Sequence, residues 1–434
     1  MDKMADVLGR AGAWCGQNKY LSAIKNAFQN FMPLTIAGAI GVLWCNVLVN
    51  DQTGLGLFFK PIMALDFLNP AFQAVNFCTI SCITVGITLG IAQEIGVWNM
   101  GAEKAGYIPG LVGLAAWLSV TNTSHMVDGA KEAFTGVAGN ELGATGLFTG
   151  MIIGVLSVEL FCFFEKQDAL KIKMPEQVPP GVARAFEVLV PATITLIITA
   201  CIGSACYNLT GLYLNDVIKN GIQGPLGAVG ATIPGVMIIY LVIMLFWLVG
   251  IHGNNMLSAV KEALFTPLAL ENVEAFNKGE TPKNIINMYA LQMWGEFGGS
   301  GVTIGLVIAI MIFGKREDNK AIATLSLVPG LFNINETVTF GIPMVLNPIL
   351  GIPFVVAPLV TIIIGYVLTV IGFCPVACLT VPWTCPSLIF GFLATGANIM
   401  GAVTQAILIA ISVVIYTPFL IFYEKYQNKQ AVEA

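Results

Sequence analysis

Long apolar stretches without a single charged side chain dominate the sequence. Uncharged runs cover 26–50, 67–93, 105–127, 142–158, 188–215, 220–260, 297–314, 321–335 and 337–423. A helix needs about 20 apolar residues to cross a membrane. Runs of 23–28 residues therefore predict one crossing each, and the last run has room for three or four. The pattern predicts an all-α polytopic membrane protein with about ten transmembrane helices.

The second half of the chain differs from the first because its apolar stretches are interrupted. Gly, Pro and Asn break them in "GIHGNN" (250–255), "FGGSGVT" (297–303), "VPGLFNINE" (328–336), "GIPMVLNP" (341–348) and "VPWTCP" (381–386). Non-helical backbone at membrane depth is tolerated only inside protein or along a water-filled cavity. Broken helices also form the substrate sites of many transporters. We therefore place the functional site in the second half.

This contrast divides the chain into three parts. Residues 1–212 are interpreted as an N-terminal scaffold, 213–230 as an amphipathic linker, and 231–434 as the C-terminal half that carries the site. The segment 256–283 is too charged to cross as one lipid-facing helix. A re-entrant hairpin and a cytoplasmic cap both fit it, and the sequence does not choose between them.

Composition and charge agree with a membrane protein. Only 10% of the 434 residues are charged, against about 25% in soluble domains, and mean hydropathy is +0.81. Basic residues mark cytoplasmic loops, and they predict that both termini are cytoplasmic. They cluster at Lys3, Arg10, Lys19 and Lys25; at Lys166, Lys171, Lys173 and Arg184; at "KREDNK" (315–320); and at Lys425 and Lys429. A net charge of −5 without a basic patch argues against nucleic acid.

Glu336 is the most informative single residue. It is the only Asp, Glu, Lys or Arg between Lys320 and Glu424. An ionisable group within a membrane span is costly and is usually directed at a cavity or a partner. The alternative is a buried acid at a helix start, with Asn333 and Asn335 supplying a turn. The convergence of turn residues and an isolated acid favours a functional role.

Other candidates share the second half with Glu336. His252 is flanked by glycines in "GIHGNN", and the alternative is a structural histidine. Flat aromatic rings are suited to stacking on a sugar ring; the alternative is a position at the membrane interface or in simple packing. Uncharged amides are suited to binding hydroxyl groups; the alternative is that they only form turns. The candidates of these kinds are Trp247, Trp383, Asn254, Asn255, Asn333 and Asn335, together with Glu296 at the edge of a span. No P-loop, hydrolase motif or metal-spaced His/Cys cluster is present, so no cofactor and no metal are predicted.

Two of these segments resemble a known family. "NINETVTFGIPMVLNP" (333–348) closely resembles the Asn-Ile-Asn-Glu-Pro-Val-x-Phe-Gly-x-Pro signature of the lactose/cellobiose/diacetylchitobiose membrane subunits (IIC) of the bacterial phosphoenolpyruvate:sugar phosphotransferase system. "WLVGIHGNN" (247–255) resembles the Gly-Ile-His-Gly element of the same family. One departure is Thr337, where the family usually has Pro.

The resemblance implies a permease in the bacterial cell membrane that is a homodimer of ten-span protomers. Its N-terminal half holds the dimer together, and its C-terminal half carries a disaccharide on two re-entrant hairpins. The resemblance also implies that the sugar is phosphorylated at its C6 hydroxyl by the phosphocysteine of a separate IIB subunit, with IIA upstream. On that basis the chain is expected to have enzymatic activity only within the complex. Glu336 and His252 become the residues nearest that hydroxyl, and Trp247 and Trp383 match aromatic positions near the sugar.

A second class of function stays open from the residues alone. A buried Glu and His can also relay protons, and broken helices occur in proton-coupled sugar symporters. The short ends of the chain predict that the phosphodonor is a separate chain. The identity of the disaccharide is not encoded in any motif of the sequence.

Overall fold

The computed structural model of the chain is predominantly helical. It describes residues 10, 14, 17–51, 55–125, 134–175, 177–225, 230–342, 344 and 347–433. Much of the N-terminal stretch, including Lys3, lies outside these residues, as do Pro343, Val345 and Leu346 of the signature segment.

The first half of the chain forms nine helices within its described residues. They are α1 (Lys19–Leu43), α2 (Asn69–Cys78), α3 (Ile83–Met100), α4 (Ala102–Ala105), α5 (Ile108–Val120), α6 (Gly139–Leu142), α7 (Ala144–Glu165), α8 (Pro180–Thr210) and α9 (Leu214–Ile218). Two short strands, β1 (Ser124–His125) and β2 (Phe134–Thr135), pair antiparallel, with Ser124 opposite Thr135. Helices α3, α5 and α7 pack closely because small residues lie where they cross; a Cβ on Gly113 would lie 2.3 Å from that of Ala92.

The second half contributes ten helices in the part of the chain that is described. They are α10 (Ile233–Leu248), α11 (Gly253–Met256), α12 (Ser258–Asn277), α13 (Met288–Gly295), α14 (Ile304–Phe313), α15 (Glu317–Leu331), α16 (Glu336–Gly341), α17 (Gly351–Val370), α18 (Ile389–Ala394) and α19 (Ile399–Glu433). Short 3₁₀ and π turns link several of the helices in both halves, as at Lys60–Leu68, Lys219–Gln223 and Ser300–Val302.

The chain divides into two compact units. The N-terminal unit comprises Gln17–Gly38 and Gln73–Gly227, and the C-terminal unit includes Ala39–Phe72 and Ala228–Ala434. The boundary after Gly227 falls inside the predicted linker 213–230, of which residues 226–229 are not described. The scaffold and transport roles assigned to the two halves stay predictions.

Length and composition identify the membrane-crossing helices. Within the described ranges, six helices are long and apolar enough to span a membrane: Lys19–Leu48, Lys60–Met100, Ala144–Glu165, Pro180–Thr210, Gly351–Val370 and Ile399–Lys429. A seventh candidate, Met288–Val302 with Ile304–Phe313, is bent by 60°. Two shorter apolar helices are Ile108–Val120 and Ile233–Leu248. A polytopic all-α membrane protein is therefore confirmed, whereas the count of ten crossings and the two hairpins stay predictions.

The predicted breaks occur where Gly and Asn interrupt the second half. Left-handed backbone is found at Gly250 (φ +81°), at Gly298 and Gly299 (φ +68° and +87°) and at Asn333 (φ +63°). Glycine adopts this conformation without steric cost, and Asn tolerates it better than most residues. The break at 341–348 is only partly described, and 381–386 lies in the irregular segment between α17 and α18.

The charged segment 256–283 folds as one helix followed by a loop that leads back into α13. Asn272 stabilises the loop after this helix, because its Nδ2 donates hydrogen bonds to the carbonyls of Asn284 (2.8 Å) and Ala377 (3.0 Å). The segment is thus the first arm of a helix–loop–helix. Its depth in the membrane, and hence the choice between hairpin and cap, stays open.

The "KREDNK" segment lies beside the C-terminal helix. The Glu424 carboxylate on α19 accepts hydrogen bonds from the backbone N–H of Lys315 (2.8 Å) and from the side chain of Asn319 (3.1 Å). Two of the four basic groups that were predicted to be cytoplasmic are therefore on the same side of the C-terminal unit. Their cytoplasmic location itself stays a prediction.

Candidate functional site

A cavity of about 550 Å³ lies among the broken helices of the C-terminal unit. Ligand pockets typically measure about 300–1,000 Å³, so the cavity is large enough for a small molecule. Polar and aromatic side chains dominate its wall: His252, Asn254, Asn255, Gln292, Glu296, Phe297, Gly299, Ser300, Asn333, Ile334, Asn335, Glu336, Trp383, Phe390 and Gln405. Eight of the nine candidate residues named from the sequence are thus brought together, and Trp247 is the exception.

His252 is held in one orientation at the start of α11. Its Nδ1 accepts a hydrogen bond from the backbone N–H of Asn255 (3.3 Å). The neutral ring therefore carries its proton on Nε2, and this nitrogen has no partner among the described residues. The next residue must be glycine, because a Cβ on Gly253 would lie 2.0 Å from the carbonyl oxygen of Ile243. His252 thus presents a hydrogen-bond donor to the cavity.

Glu336 is the free acid of the cavity. It is the first residue of α16 and is solvent-exposed. No described group of the protein donates a hydrogen bond to its carboxylate, although it lies close enough to His252 to interact electrostatically. Thr337 occupies the second position of this helix. The N–H there has no intrahelical acceptor, so Thr and the Pro of the family signature both fit.

Glu296, the other acid in the wall, has its charge compensated. Its carboxylate forms an ion pair with Lys261 and accepts a hydrogen bond from the hydroxyl of Tyr240 (2.7 Å). Both partners are largely buried, since the side chain of Lys261 is 7% exposed and that of Glu296 is 17% exposed. Glu296 thus occupies the predicted place in the cavity wall as one half of a buried pair.

Two of the predicted asparagines use their amides to join the broken segments. Asn333 accepts from the backbone N–H of Gly298 (2.7 Å) through Oδ1 and donates to the carbonyl of Cys385 (3.1 Å) through Nδ2. Asn335 donates to the carbonyl of Ser300 (2.8 Å). These hydrogen bonds connect the break after α13, the break before α16 and the loop that carries Trp383.

Both the nitrogen and the oxygen of the Asn254 side-chain amide form hydrogen bonds. Its Nδ2 donates to the Ser300 hydroxyl (2.9 Å), and its Oδ1 accepts from Lys261 (3.5 Å). Asn254 therefore ties α11 to the break after α13 and to α12. The neighbouring Asn255 is exposed, and its side chain has no protein partner in the described part of the chain.

The two tryptophans occupy different places. Trp383 lines the cavity and is 46% exposed, so one face of its indole is open. Trp247 is 2% exposed and lies behind the wall, with its ring centroid 4.4 Å from that of His252. Trp247 supports the histidine and is not part of the cavity surface.

Sequence reasoning missed several residues of the site. Gln292 and Gln405 line the cavity, and each is an amide within an apolar helix, which is a signal that the sequence contained. Lys261 and Tyr240 were missed because nothing local links them to Glu296, which lies 35 and 56 residues away.

Comparison with known proteins identifies the chain. The family model described as "Phosphotransferase system, EIIC" matches residues 25–358. The chain belongs to the phosphotransferase system EIIC family. It is 33% identical to the oligo-beta-mannoside-specific EIIC component of Bacillus subtilis (strain 168), over 100% of this chain and 97% of the relative.

Two further EIIC proteins are similar over nearly their full lengths. The cellobiose-specific EIIC component of Lactococcus lactis subsp. lactis (strain IL1403) is 30% identical over 98% of both chains. The crystal structure of ChbC, the IIC component of the N,N'-diacetylchitobiose-specific phosphotransferase system, superposes with a TM-score of 0.88, covers 96% of each chain and shares 30% identity.

Membership in the EIIC family decides between the two classes of function that the residues left open. An EIIC protein is the sugar-binding membrane component of a phosphotransferase system and works with IIB and IIA components. The proton-coupled symporter alternative finds no support in these relatives.

Proposed function

We propose that this EIIC protein binds a β-linked disaccharide of the cellobiose, lactose or diacetylchitobiose type in the cavity. It then presents the C6 hydroxyl of the sugar to the phosphocysteine of a IIB subunit. The names of its relatives support this class of sugar. The single observation that carries the chemistry is the contrast between two acids in one cavity: Glu296 is paired with Lys261 and Tyr240, whereas Glu336 is free and lies near His252.

The free carboxylate supplies the base that the reaction needs. A sugar hydroxyl is a weak nucleophile until a base removes its proton. The Glu336 carboxylate takes the proton of the C6 hydroxyl as the oxygen attacks phosphorus. The new O–P bond forms, the S–P bond of the phosphocysteine breaks, and the cysteine leaves as a thiolate. His252 donates from Nε2 to the same oxygen and fixes its position, because phosphoryl transfer depends chiefly on alignment.

The remaining wall residues recognise the sugar or hold the wall in place. Trp383 stacks its open indole face on a pyranose ring. Asn254, Asn333, Asn335 and Glu296 keep the broken segments in register, and Trp247 buttresses His252 from behind. The product carries about two negative charges at neutral pH, so it cannot return through an apolar membrane and is trapped inside.

We extend the proposal to the whole assembly. The protein is a homodimer in the bacterial cell membrane, surrounded by lipid, with ten crossings, two re-entrant hairpins and cytoplasmic termini. Residues 1–212 form the scaffold and dimer interface, 213–230 the linker, and 231–434 the sugar-transport half. The position of Glu424 next to "KREDNK" supports a common side for that loop and the C-terminus.

Uptake into reconstituted vesicles tests the function. Sugar accumulation is expected to require phosphorylated IIB and to be unaffected when an uncoupler collapses the proton gradient. Uptake that needs the gradient, with phosphorylated IIB present, would overturn the proposal in favour of a symporter.

A further inference from the structure

Most amide side chains in the cavity wall already have protein partners. Asn254 and Asn333 are bonded at both ends of their amides, as described above. Gln405 accepts from the backbone N–H groups of Leu388 (2.7 Å) and Gly391 (2.9 Å) and donates to the carbonyl of Met293 (3.3 Å). These side chains hold the wall together and have little capacity left for a ligand.

Gln292 is different. Its Oε1 is buried and has no hydrogen-bond partner in the structure, although the residue lines the cavity. It lies on α13, where the other seven residues are buried, and most of them are apolar. A buried acceptor without a donor destabilises a protein by the full desolvation penalty of the group. Asn255 also lacks a side-chain partner among the described residues, but it is exposed and water can satisfy it.

The donors that serve the neighbouring acid Glu296 are already engaged. One helical turn further on, Glu296 receives both the Lys261 ammonium and the Tyr240 hydroxyl. A neutral amide oxygen attracts neither a phosphate nor a carboxylate, and the group it binds best is a neutral O–H donor. The cavity wall therefore contains a buried neutral acceptor, the Gln292 Oε1, that has no donor among the described residues.

We propose that Gln292 is a specificity-determining residue that accepts a hydrogen bond from a sugar hydroxyl other than the one that is phosphorylated. This inference rests on the proposed function, which assigns the reacting C6 hydroxyl to Glu336 and His252. It gives a reason for the presence of a glutamine in a mostly apolar helix. It also means that affinity depends on a hydroxyl that takes no part in the chemistry.

Binding to the purified full-length protein tests the assignment. Gln292→Leu removes the acceptor at nearly constant volume, and Gln167→Leu is the matched control, because Gln167 is exposed in the loop after α7. Titration calorimetry measures the dissociation constants of cellobiose, lactose and diacetylchitobiose for the wild type and both variants. The tightest of the three is then compared with its monodeoxy derivatives, each of which lacks one hydroxyl.

We expect Gln292→Leu to weaken sugar binding by about 10–100-fold, the loss typical of leaving a buried donor, here the sugar hydroxyl, without its acceptor, and Gln167→Leu to bind as the wild type does. One deoxy derivative should bind the wild type about 10–100-fold more weakly than the parent sugar, and Gln292→Leu should no longer distinguish the two. Such coupling identifies the hydroxyl that Gln292 contacts.

Two results would overturn the assignment while leaving the proposed function intact. One is unchanged affinity of Gln292→Leu, which would mean that water satisfies the glutamine. The other is an equal loss for the parent sugar and every deoxy derivative, which would mean a general distortion of the cavity. Failure of the wild type to bind any of the three disaccharides would refute the proposed sugar class, and the role of Gln292 with it.

Discussion

The two acids in the cavity wall show how environment separates residues that look alike in sequence. Glu296 and Glu336 both lie at breaks in apolar helices, and both line the same cavity. Around Glu296, a lysine and a tyrosine from two other helices compensate the charge. Around Glu336, no described protein group donates a hydrogen bond, and a histidine with a free Nε2 lies nearby. The first arrangement stabilises a wall, whereas the second is suited to proton transfer.

The largest effect should come from the free acid. Glu336→Gln keeps the size and one oxygen but removes the base, so phosphosugar formation should fall by about 10²–10⁴-fold. The assay uses purified protein with phosphorylated IIB. Glu317→Gln is the control, because Glu317 begins α15 at the surface with its side chain 86% exposed. If Glu336→Gln were as active as Glu317→Gln, Glu336 would have no special role and would no longer differ from Glu296.

Breaking the buried Lys261–Glu296 pair should lower the stability of the protein. Lys261→Met leaves the Glu296 carboxylate buried without its counter-ion, which costs about 3–5 kcal/mol in comparable buried pairs. We expect a markedly lower unfolding temperature in detergent, measured by fluorescence-detected size exclusion after heating. A surface ion pair offers the control: Lys278→Met breaks the exposed pair with Glu274 and should change the unfolding temperature little. Indistinguishable melting of the two variants would mean that the Lys261–Glu296 pair is not structural.

His252 should affect binding and chemistry together. His252→Ala removes the Nε2 donor from the reacting hydroxyl, so both sugar affinity and phosphorylation should fall, each by about tenfold. His125 is the other histidine of the chain and lies in the N-terminal unit, so His125→Ala should leave both quantities unchanged. Unaltered binding and turnover in His252→Ala would reduce this residue to a packing role.

The smallest effect is expected when both members of the buried pair are replaced. Replacing a buried ion pair by neutral groups of similar volume is often nearly neutral. Lys261→Met/Glu296→Gln should therefore recover most of the stability lost in Lys261→Met and phosphorylate sugar within about threefold of the wild type. A double variant as inactive as Glu336→Gln would mean that Glu296 takes part in the reaction, and the proposed difference between the two acids would be wrong.

The sequence predicts part of this site well. Charge gaps locate the apolar spans, and Gly, Pro and Asn in apolar context locate the breaks that build the cavity. The isolation of Glu336 is visible because charge is so rare in its surroundings. These features are local, so a linear pattern can reveal them.

Features that depend on distant residues are not visible in the same way. Lys261 neutralises Glu296 and Asn333 bonds to Gly298 through contacts between segments 35 residues apart. The sequence does not distinguish Trp247 from Trp383. Only the packing shows that Trp247 is buried behind the cavity wall and that Trp383 lies on its surface. The roles of amides are likewise decided by which of their atoms are already bonded, as the contrast between Gln292 and Gln405 illustrates.

The central claim is that Glu336 acts as a base and not merely as a sugar ligand. The most direct test is single-turnover phosphorylation of Glu336→Gln at saturating sugar, with the dissociation constant measured on the same preparation. Sugar affinity should fall by no more than the ~1.5–3 kcal/mol of a hydrogen bond to a charged group. Even at saturation, where weaker binding no longer matters, the rate should stay about 10²–10⁴-fold below the wild-type rate. A rate that returns to the wild-type value once the cavity is filled would contradict the account and make Glu336 a binding residue only.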